Sequence, residues 1–134
     1  MDRNIFVRFP KVHYGRELSA SERKQLKCVL KHSEKKCENT AKLIVDLKTT
    51  RCCNYGVDVI PTITARGAST LSFYHCGLQR RLSIEELAMA QGFDLEHCAF
   101  EGLGQCARGR LFGNSLTSPL LSKIIRCALK HLRL

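Results

Sequence analysis

The sequence lacks a hydrophobic run long enough to cross a membrane. None of its 134 residues belongs to a stretch that approaches the roughly 18 apolar residues of a spanning helix. Charged side chains interrupt residues 1–15, so we expect no secretory signal there. We therefore expect a nuclear or cytoplasmic protein that is not secreted and has no membrane partner. The eight cysteines are then expected to be reduced thiols.

Motifs for self-contained chemistry are also missing. The sequence contains neither a Cys-x-x-Cys pair nor a Gly-x-Gly-x-x-Gly loop. The best zinc candidates are Cys52-Cys53 with His75-Cys76, and adjacent ligands are poorly spaced for a tetrahedral site. Cys98 follows His97, but neighbours in sequence rarely face each other. We therefore predict no metal, no catalytic residue and inert cysteines.

What the chain does have is positive charge. Lysine and arginine number 22 against 12 acidic residues, which gives a formal net charge of +10. Such a charge attracts polyanions, because neutralising phosphates releases condensed counterions. Nucleic acid is the leading partner on this ground, and the 44% apolar content suffices for one folded domain.

Local signals predict an amphipathic helix and then a small, irregular β region. Ser19 and Glu22 have the spacing of a capping box ahead of an amphipathic helix with a basic outer face. Residues 43–47 are short, apolar and β-branched, which predicts a strand. Further expectations are a loop at residues 51–56, an edge strand or break around Pro61, a turn at Gly67 and a strand at residues 70–75.

Two helices are predicted in the last third. Ser83 and Glu86 form a second capping box, so a helix should run from Ile84 to Gln91 and end at Gly92. Pro119 marks the first turn of a final helix that begins near Ser118. Its apolar residues form one continuous stripe, the terminal stripe, which we expect to pack in an ordinary core: Leu120, Leu121, Ile124, Ile125, Ala128, Leu129 and Leu132.

Helix-turn-helix geometry is an alternative for part of this region. Residues 84–91, the turn at Gly92-Phe93 and residues 95–100 could form its two helices. Glu96 and Glu101 argue against it, because acidic side chains on a recognition helix would face DNA phosphates.

Two segments resemble motifs of DNA (cytosine-5) methyltransferases. Residues 80–93, Arg-Arg-Leu-Ser-Ile-Glu-Glu-Leu-Ala-Met-Ala-Gln-Gly-Phe, are similar to the ninth motif of that family, Arg-x-Leu-Thr/Ser-x-x-Glu followed by Gln-Gly-Phe. Residues 112–116, Phe-Gly-Asn-Ser-Leu, resemble the tenth motif, Gly-Asn-Ser-Val, which precedes the terminal helix. Upstream, residues 44–47 and 61–64 resemble the target-recognition region. The resemblance covers roughly residues 43–130 and is greater to algal and protist members than to bacterial ones.

The resemblance implies roles for individual residues. Asn114, Ser115 and Leu116 would border the S-adenosylmethionine pocket, and the terminal stripe would pack on the catalytic domain. Arg80 and Glu86 would be structural residues of the ninth motif. Contacts to DNA would come from the recognition element, namely Thr62, Ile63, Thr64 and Arg66.

The chain also departs from the family. Met89 replaces an arginine of the ninth motif, and Leu111 replaces a glutamine ahead of the tenth. We expect the entire amino-terminal half of the family to be absent, with its Phe-x-Gly-x-Gly cofactor loop and its Pro-Cys nucleophile, Glu-Asn-Val and Gln-x-Arg-x-Arg motifs. The attacking cysteine and the glutamate that engages the flipped base are therefore missing, and we predict no activity in isolation.

These observations predict an α+β chain with an incomplete α/β methyltransferase fold. Residues 1–42 form a basic lead-in and helix, residues 43–78 a recognition-like β region, and residues 79–134 the motif-bearing region with the terminal helix. The predicted function is to recognise a DNA target and to form part of a cofactor pocket. The predicted partners are DNA and possibly a separate catalytic half. The sequence leaves open whether the chain is a fragment, a degenerate copy or one half of a split enzyme. Alternatives are a non-enzymatic DNA-binding module and a protein whose terminal stripe binds a partner.

Overall fold

A computed structural model describes residues 17–36, 38–49 and 54–132, which form a mixed α+β structure. The expected lead-in, apart from Glu17, and Cys52-Cys53 lie outside these residues. The elements in chain order are α1 (Ala20–Lys35), β1 (Leu43–Asp46), β2 (Tyr55–Val57), α2 (Ala65–Ser69), β3 (Phe73–His75), β4 (Arg80–Arg81), α3 (Ile84–Ala90), α4 (Gln105–Asn114) and α5 (Ser118–Leu132), with 3₁₀ turns at Thr40–Lys42 and Leu95–His97.

The strands form one antiparallel sheet in the order β2-β1-β3-β4. Side chains on successive residues of a strand point to opposite faces. Leu43 and Val45 of β1 accordingly pack against Val29 of α1, whereas Ile44 packs against Ala68 of α2 and Leu87 of α3. Strand β1 is therefore buried on both faces, which explains its unbroken apolar sequence.

Both predicted capping boxes are present. The Ser19 hydroxyl accepts from the Glu22 amide and the Ser83 hydroxyl from the Glu86 amide, and each glutamate accepts from the amide of its serine. Gly92 has a φ of +80°, the left-handed conformation expected at the end of α3. These helices begin where the sequence predicts because their capping signals are local.

The β region differs from the expectation in several places, and the strand expected at residues 70–75 is confined to Phe73–His75. Tyr55 and Gly56 belong to β2, so the predicted loop ends earlier than expected. Gly67 does not mark a turn, since it lies inside α2, where its amide donates to the Thr64 hydroxyl at 3.0 Å. Thr64 is thus the N-cap of a short helix that no apolar periodicity announces.

The final helix begins as predicted at Ser118, but the expectation that it packs in an ordinary core is wrong. The large residues of the terminal stripe are between 40% and 65% exposed, and α5 has no buried residue. None of the described helices combines the length and apolar content of a membrane span. Helix α5 therefore presents an amphipathic surface that the described part of the chain leaves open.

Candidate functional site

Arg80 and Glu86 form a buried, bidentate ion pair where α3 begins. Arg80 Nη1 lies 2.7 Å from Glu86 Oε2, and Nη2 lies 2.6 Å from Oε1. Their side chains are only 7% and 0% exposed. The same glutamate accepts from the Ser83 amide at 2.8 Å, so it caps α3 and links that helix to β4. The two structural residues of the ninth-motif-like segment are thus brought into contact.

The next residue, Arg81, makes a second buried pair on the opposite face of the sheet. Its Nη2 lies 3.0 Å from Glu22 Oε2 in α1, and its Nη1 donates to the Leu71 carbonyl at 2.8 Å. Burial alone raises the pKa of Glu22, but hydrogen bonds from Ser19 and the Arg81 guanidinium outweigh it and lower this pKa from 4.5 to about 2. Sequence analysis missed this pair because 59 residues separate its members.

The end of the ninth-motif-like segment touches the tenth. Ser115 Oγ lies 2.9 Å from Gln91 Oε1, and the Ser118 amide donates to the Gln91 carbonyl at 2.9 Å. A Cβ atom on Gly92 would lie 2.6 Å from Pro119 Cδ, so the two backbones pass closely. The segments at residues 80–93 and 112–116 therefore meet at one junction, the motif junction (Gln91, Gly92, Ser115, Ser118 and Pro119).

Two glycines bring α4 against α2 beside this junction. A Cβ atom on Gly113 would lie 2.3 Å from Ala65 Cα, and one on Gly109 would lie 2.6 Å from Ser69 Cα. Glycines four residues apart lie on one face of a helix, so that face can approach another backbone. Gly113 thereby holds the Gly-Asn-Ser segment against Thr64 and Ala65, within the recognition element.

The residues expected at a cofactor pocket lie together where α4 ends. Asn114 is exposed, Leu116 is 58% exposed, and Ser115 is half-buried at the motif junction. Asn114 and Ser115 line an open depression of about 360 Å³ with Arg110 and Leu111. This surface can contribute one wall to a binding site. It does not enclose a ligand.

The recognition element is only partly available for contacts. Thr62 and Arg66 are exposed, so both could reach a phosphate. The Thr64 hydroxyl caps α2, and Ile63 packs against the hydrophobic cluster that contains Phe73. Of the four residues expected to bind DNA, these last two have structural contacts of their own.

The expectation that the chain contains no Phe-x-Gly-x-Gly run is wrong. Residues 100–104, Phe-Glu-Gly-Leu-Gly, have the letters of the Phe-x-Gly-x-Gly cofactor loop that the family carries in its amino-terminal half. Here they follow α3 and a 3₁₀ turn, whereas a nucleotide-binding glycine loop follows a strand. Phe100 packs edge-on against Phe112 at 5.3 Å, so the loop is anchored to α4.

The described thiols and acids offer no catalytic arrangement. His97 Nδ1 lies 2.9 Å from Asp94 Oδ2, and burial raises the pKa of the Cys76 thiol from 9.0 to about 11, which keeps it protonated. Cys76, Cys98, Cys106 and Cys127 are free. Cys28 is disulfide-bonded, so the expectation of reduced thiols is wrong at that residue. No group of three or more metal-binding side chains gathers within residues 17–36, 38–49 and 54–132.

The helix-turn-helix interpretation is wrong for residues 84–100. Its second helix would need residues 95–100, but the structure has only the three-residue 3₁₀ turn Leu95–His97 there. Without a recognition helix, this segment cannot enter a major groove in the manner of that motif.

In comparisons with known proteins, no family model, curated protein or solved structure matches the chain.

Proposed function

We propose that this chain is a carboxyl-terminal segment of a DNA (cytosine-5) methyltransferase, which contributes target recognition and one wall of the S-adenosylmethionine site. It acts together with a separate catalytic half and has no activity alone. The relationship to the family rests on the motifs at residues 80–93 and 112–116 and on the geometry that joins them.

The motif junction is the observation that carries this proposal. The order of the motifs in the chain does not by itself require them to touch. Yet Gln91 and Gly92 contact Ser115 and Pro119, and Gly113 contacts the residue that follows Thr64. Three separately identified segments therefore lie in contact with one another, as a common binding site would require.

S-adenosylmethionine would supply the methyl group in the completed enzyme. Asn114 and Ser115, which line the open depression, fit a role beside the cofactor, as does the exposed Leu116 next to them, since exposed side chains can contact a ligand directly. Small-molecule sites bury most of their ligand, and this wall alone encloses nothing. A second protein surface must therefore close the site before the cofactor binds.

The terminal stripe supports the need for a second surface. Its six large apolar residues are exposed, and they extend along α5 directly after the motif junction. Contiguous apolar surface of this kind marks a site of association. In the proposed assembly, the stripe packs on the catalytic half and thereby positions Asn114 beside the cofactor.

Complementation tests the proposal. The chain is mixed with an amino-terminal methyltransferase half that carries the Pro-Cys nucleophile, and transfer of a labelled methyl group from S-adenosylmethionine to duplex DNA is measured. We expect transfer only when both halves are present. Absence of transfer, together with absence of duplex binding by the chain at low salt, would overturn the proposal.

Two variants and a control locate the contributing surfaces. Leu121→Gln with Ile124→Gln should prevent co-elution of the halves, and Asn114→Ala should lower methyl transfer while co-elution persists. Gln105→Ala is the matched control, because this residue is also exposed and begins the same helix. Equal loss in Asn114→Ala and Gln105→Ala would contradict the role of Asn114.

A non-enzymatic DNA-binding module is the second candidate. It is favoured by the exposed cations of α1, which lie outside the residues that resemble the methyltransferases. Such a module binds duplex DNA in a salt-sensitive manner and is indifferent to S-adenosylmethionine. A rise in melting temperature on adding S-adenosylmethionine to the assembled halves, but not to either half alone, would exclude this candidate.

A further inference from the structure

The outward side of α1 carries a row of cations. Arg23, Lys24, Lys27 and Lys31 are exposed and form the α1 basic face. With Ala20 and Cys28 they line a shallow depression along the helix. Lys24, Lys27 and Lys31 are three and four residues apart, so they lie on one side of the helix and repeat about every 5–6 Å along it.

Helix α1 is held firmly on the sheet, so its outward face is presented in a fixed orientation. Glu22 pairs with Arg81 of β4, and Val29 is fully buried against Leu43 and Val45 of β1. The Arg23 guanidinium is less available to a ligand than the lysines, because its Nε donates to the Leu18 carbonyl at 2.8 Å. The three lysines are solvent-exposed, and their long, flexible side chains can follow a ligand.

We propose that the α1 basic face binds the phosphate backbone of a nucleic-acid duplex. A row of cations on a rigid helix matches a linear polyanion, whereas a single small anion would neutralise only part of it. Each lysine that neutralises a phosphate releases counterions, so the free energy of binding depends on salt. Contacts of this kind set affinity and orientation without reading sequence.

The chemistry of the face favours nucleic acid over a lipid surface. The large apolar residues of α1 (Leu26, Val29 and Leu30) point into the cluster beneath the helix, and the cations on the outward side are accompanied by the small side chains of Ala20 and Cys28. A helix that lies in a bilayer interface needs an apolar face to insert. Helix α1 has none available, so a soluble polyanion is the fitting ligand.

This site does not depend on the proposed methyltransferase role. The α1 basic face precedes residues 43–130, which carry the resemblance, and binding there needs neither a cofactor nor a catalytic half. If the chain is part of such an enzyme, the face holds the duplex while the recognition element contacts the target. If it is not, the binding should still be observed.

The test compares two variants that remove equal charge. Lys24→Gln, Lys27→Gln and Lys31→Gln are combined in one variant, and Lys123→Gln, Arg126→Gln and Lys130→Gln of α5 are combined in the other. Binding to a mixed-sequence DNA duplex is measured between 50 and 200 mM salt. The slope of log affinity against log salt should become shallower by about 3 in the α1 variant. It should change by less than about 1 in the α5 variant.

Every other result counts against the proposal. An equal change in both variants would mean that net charge, not the α1 basic face, governs binding. Unchanged binding by the α1 variant would also overturn it. Loss of binding to phosphatidylserine vesicles in the α1 variant, with duplex binding intact, would assign the face to membranes instead. Matching thermal melts of both variants and the parent chain verify that the fold is preserved.

Discussion

The body of the protein, meaning its described residues up to Ser115, and helix α5 differ in which side chains they bury and which they expose. In the body, two buried arginines are paired with buried glutamates, Arg80 with Glu86 and Arg81 with Glu22. In α5, apolar side chains that could fill a core remain in solvent. The difference predicts that the free energy of unfolding depends on the body and hardly on α5, in keeping with the proposal that a second protein surface covers α5. Four substitutions or conditions test this division.

The largest effect is expected at Glu86. Replacement by Gln leaves the Arg80 guanidinium buried without its counter-charge and weakens the cap of α3. The free energy of unfolding should fall by about 3–5 kcal/mol, measured by urea denaturation. Glu85→Gln is the control, because Glu85 is half-buried and pairs with Arg108 nearer the surface. It should cost less than about 1 kcal/mol, and equal losses would contradict the importance of the buried pair.

Acid should weaken the body next. The pKa of Glu22 is lowered from 4.5 to about 2, so its ionised form is favoured in the folded state. Its stabilisation is present above pH 4.5 and is lost as the pH falls toward 2, with a total of about 3 kcal/mol. Denaturation at successive pH values measures this loss. The Glu22→Gln variant should be less stable at neutral pH and show a flatter acid dependence.

Gly113 tests the contact between α4 and α2. In Gly113→Ala, the new methyl group would meet the Ala65 backbone, which cannot move aside as a flexible side chain could. We expect a loss of about 1–3 kcal/mol. Gly104→Ala is the control, since nothing lies within 4 Å of a Cβ atom there. If thermal melts of the two variants coincide, the close approach of the helices is not needed for stability.

The smallest effect is expected in α5. Leu121→Gln with Ile124→Gln removes two apolar side chains that the body does not bury. The free energy of unfolding should stay within about 0.5 kcal/mol of the parent value. Leu87→Gln is the buried comparison and should be severely destabilising, because Leu87 is fully buried in the core. A large loss in the α5 variant would show that the stripe belongs to the fold.

Sequence reasoning worked where the information is local. Ser19, Ser83 and Pro119 mark helix starts through contacts within three or four residues, and the structure has helices at each of them. It failed for α4, because this helix buries only Gly109 and Phe112 and so shows no apolar periodicity. It also failed at Gly67, where it predicted a turn, because the structure has this glycine buried inside α2.

The resemblance selected the residues of the candidate site, but the sequence did not predict how they lie relative to one another. Ser115 and Asn114 were selected by resemblance, yet nothing in the sequence shows that Ser115 meets Gln91, 24 residues away. The expectation of a core for α5 failed for a related reason. An apolar stripe predicts that a helix is covered, but it does not say which molecule covers it.

The close approach at Gly113 has a consequence for mutational scanning of this chain. Gly113 is both the first residue of the Gly-Asn-Ser segment and the point where two helix backbones meet, so its replacement disturbs folding and any ligand site at once. A drop in methyl transfer at that position would therefore not identify a ligand contact. Asn114, one residue later and exposed, separates the two effects and is the position at which activity can be read without the confounding loss of structure.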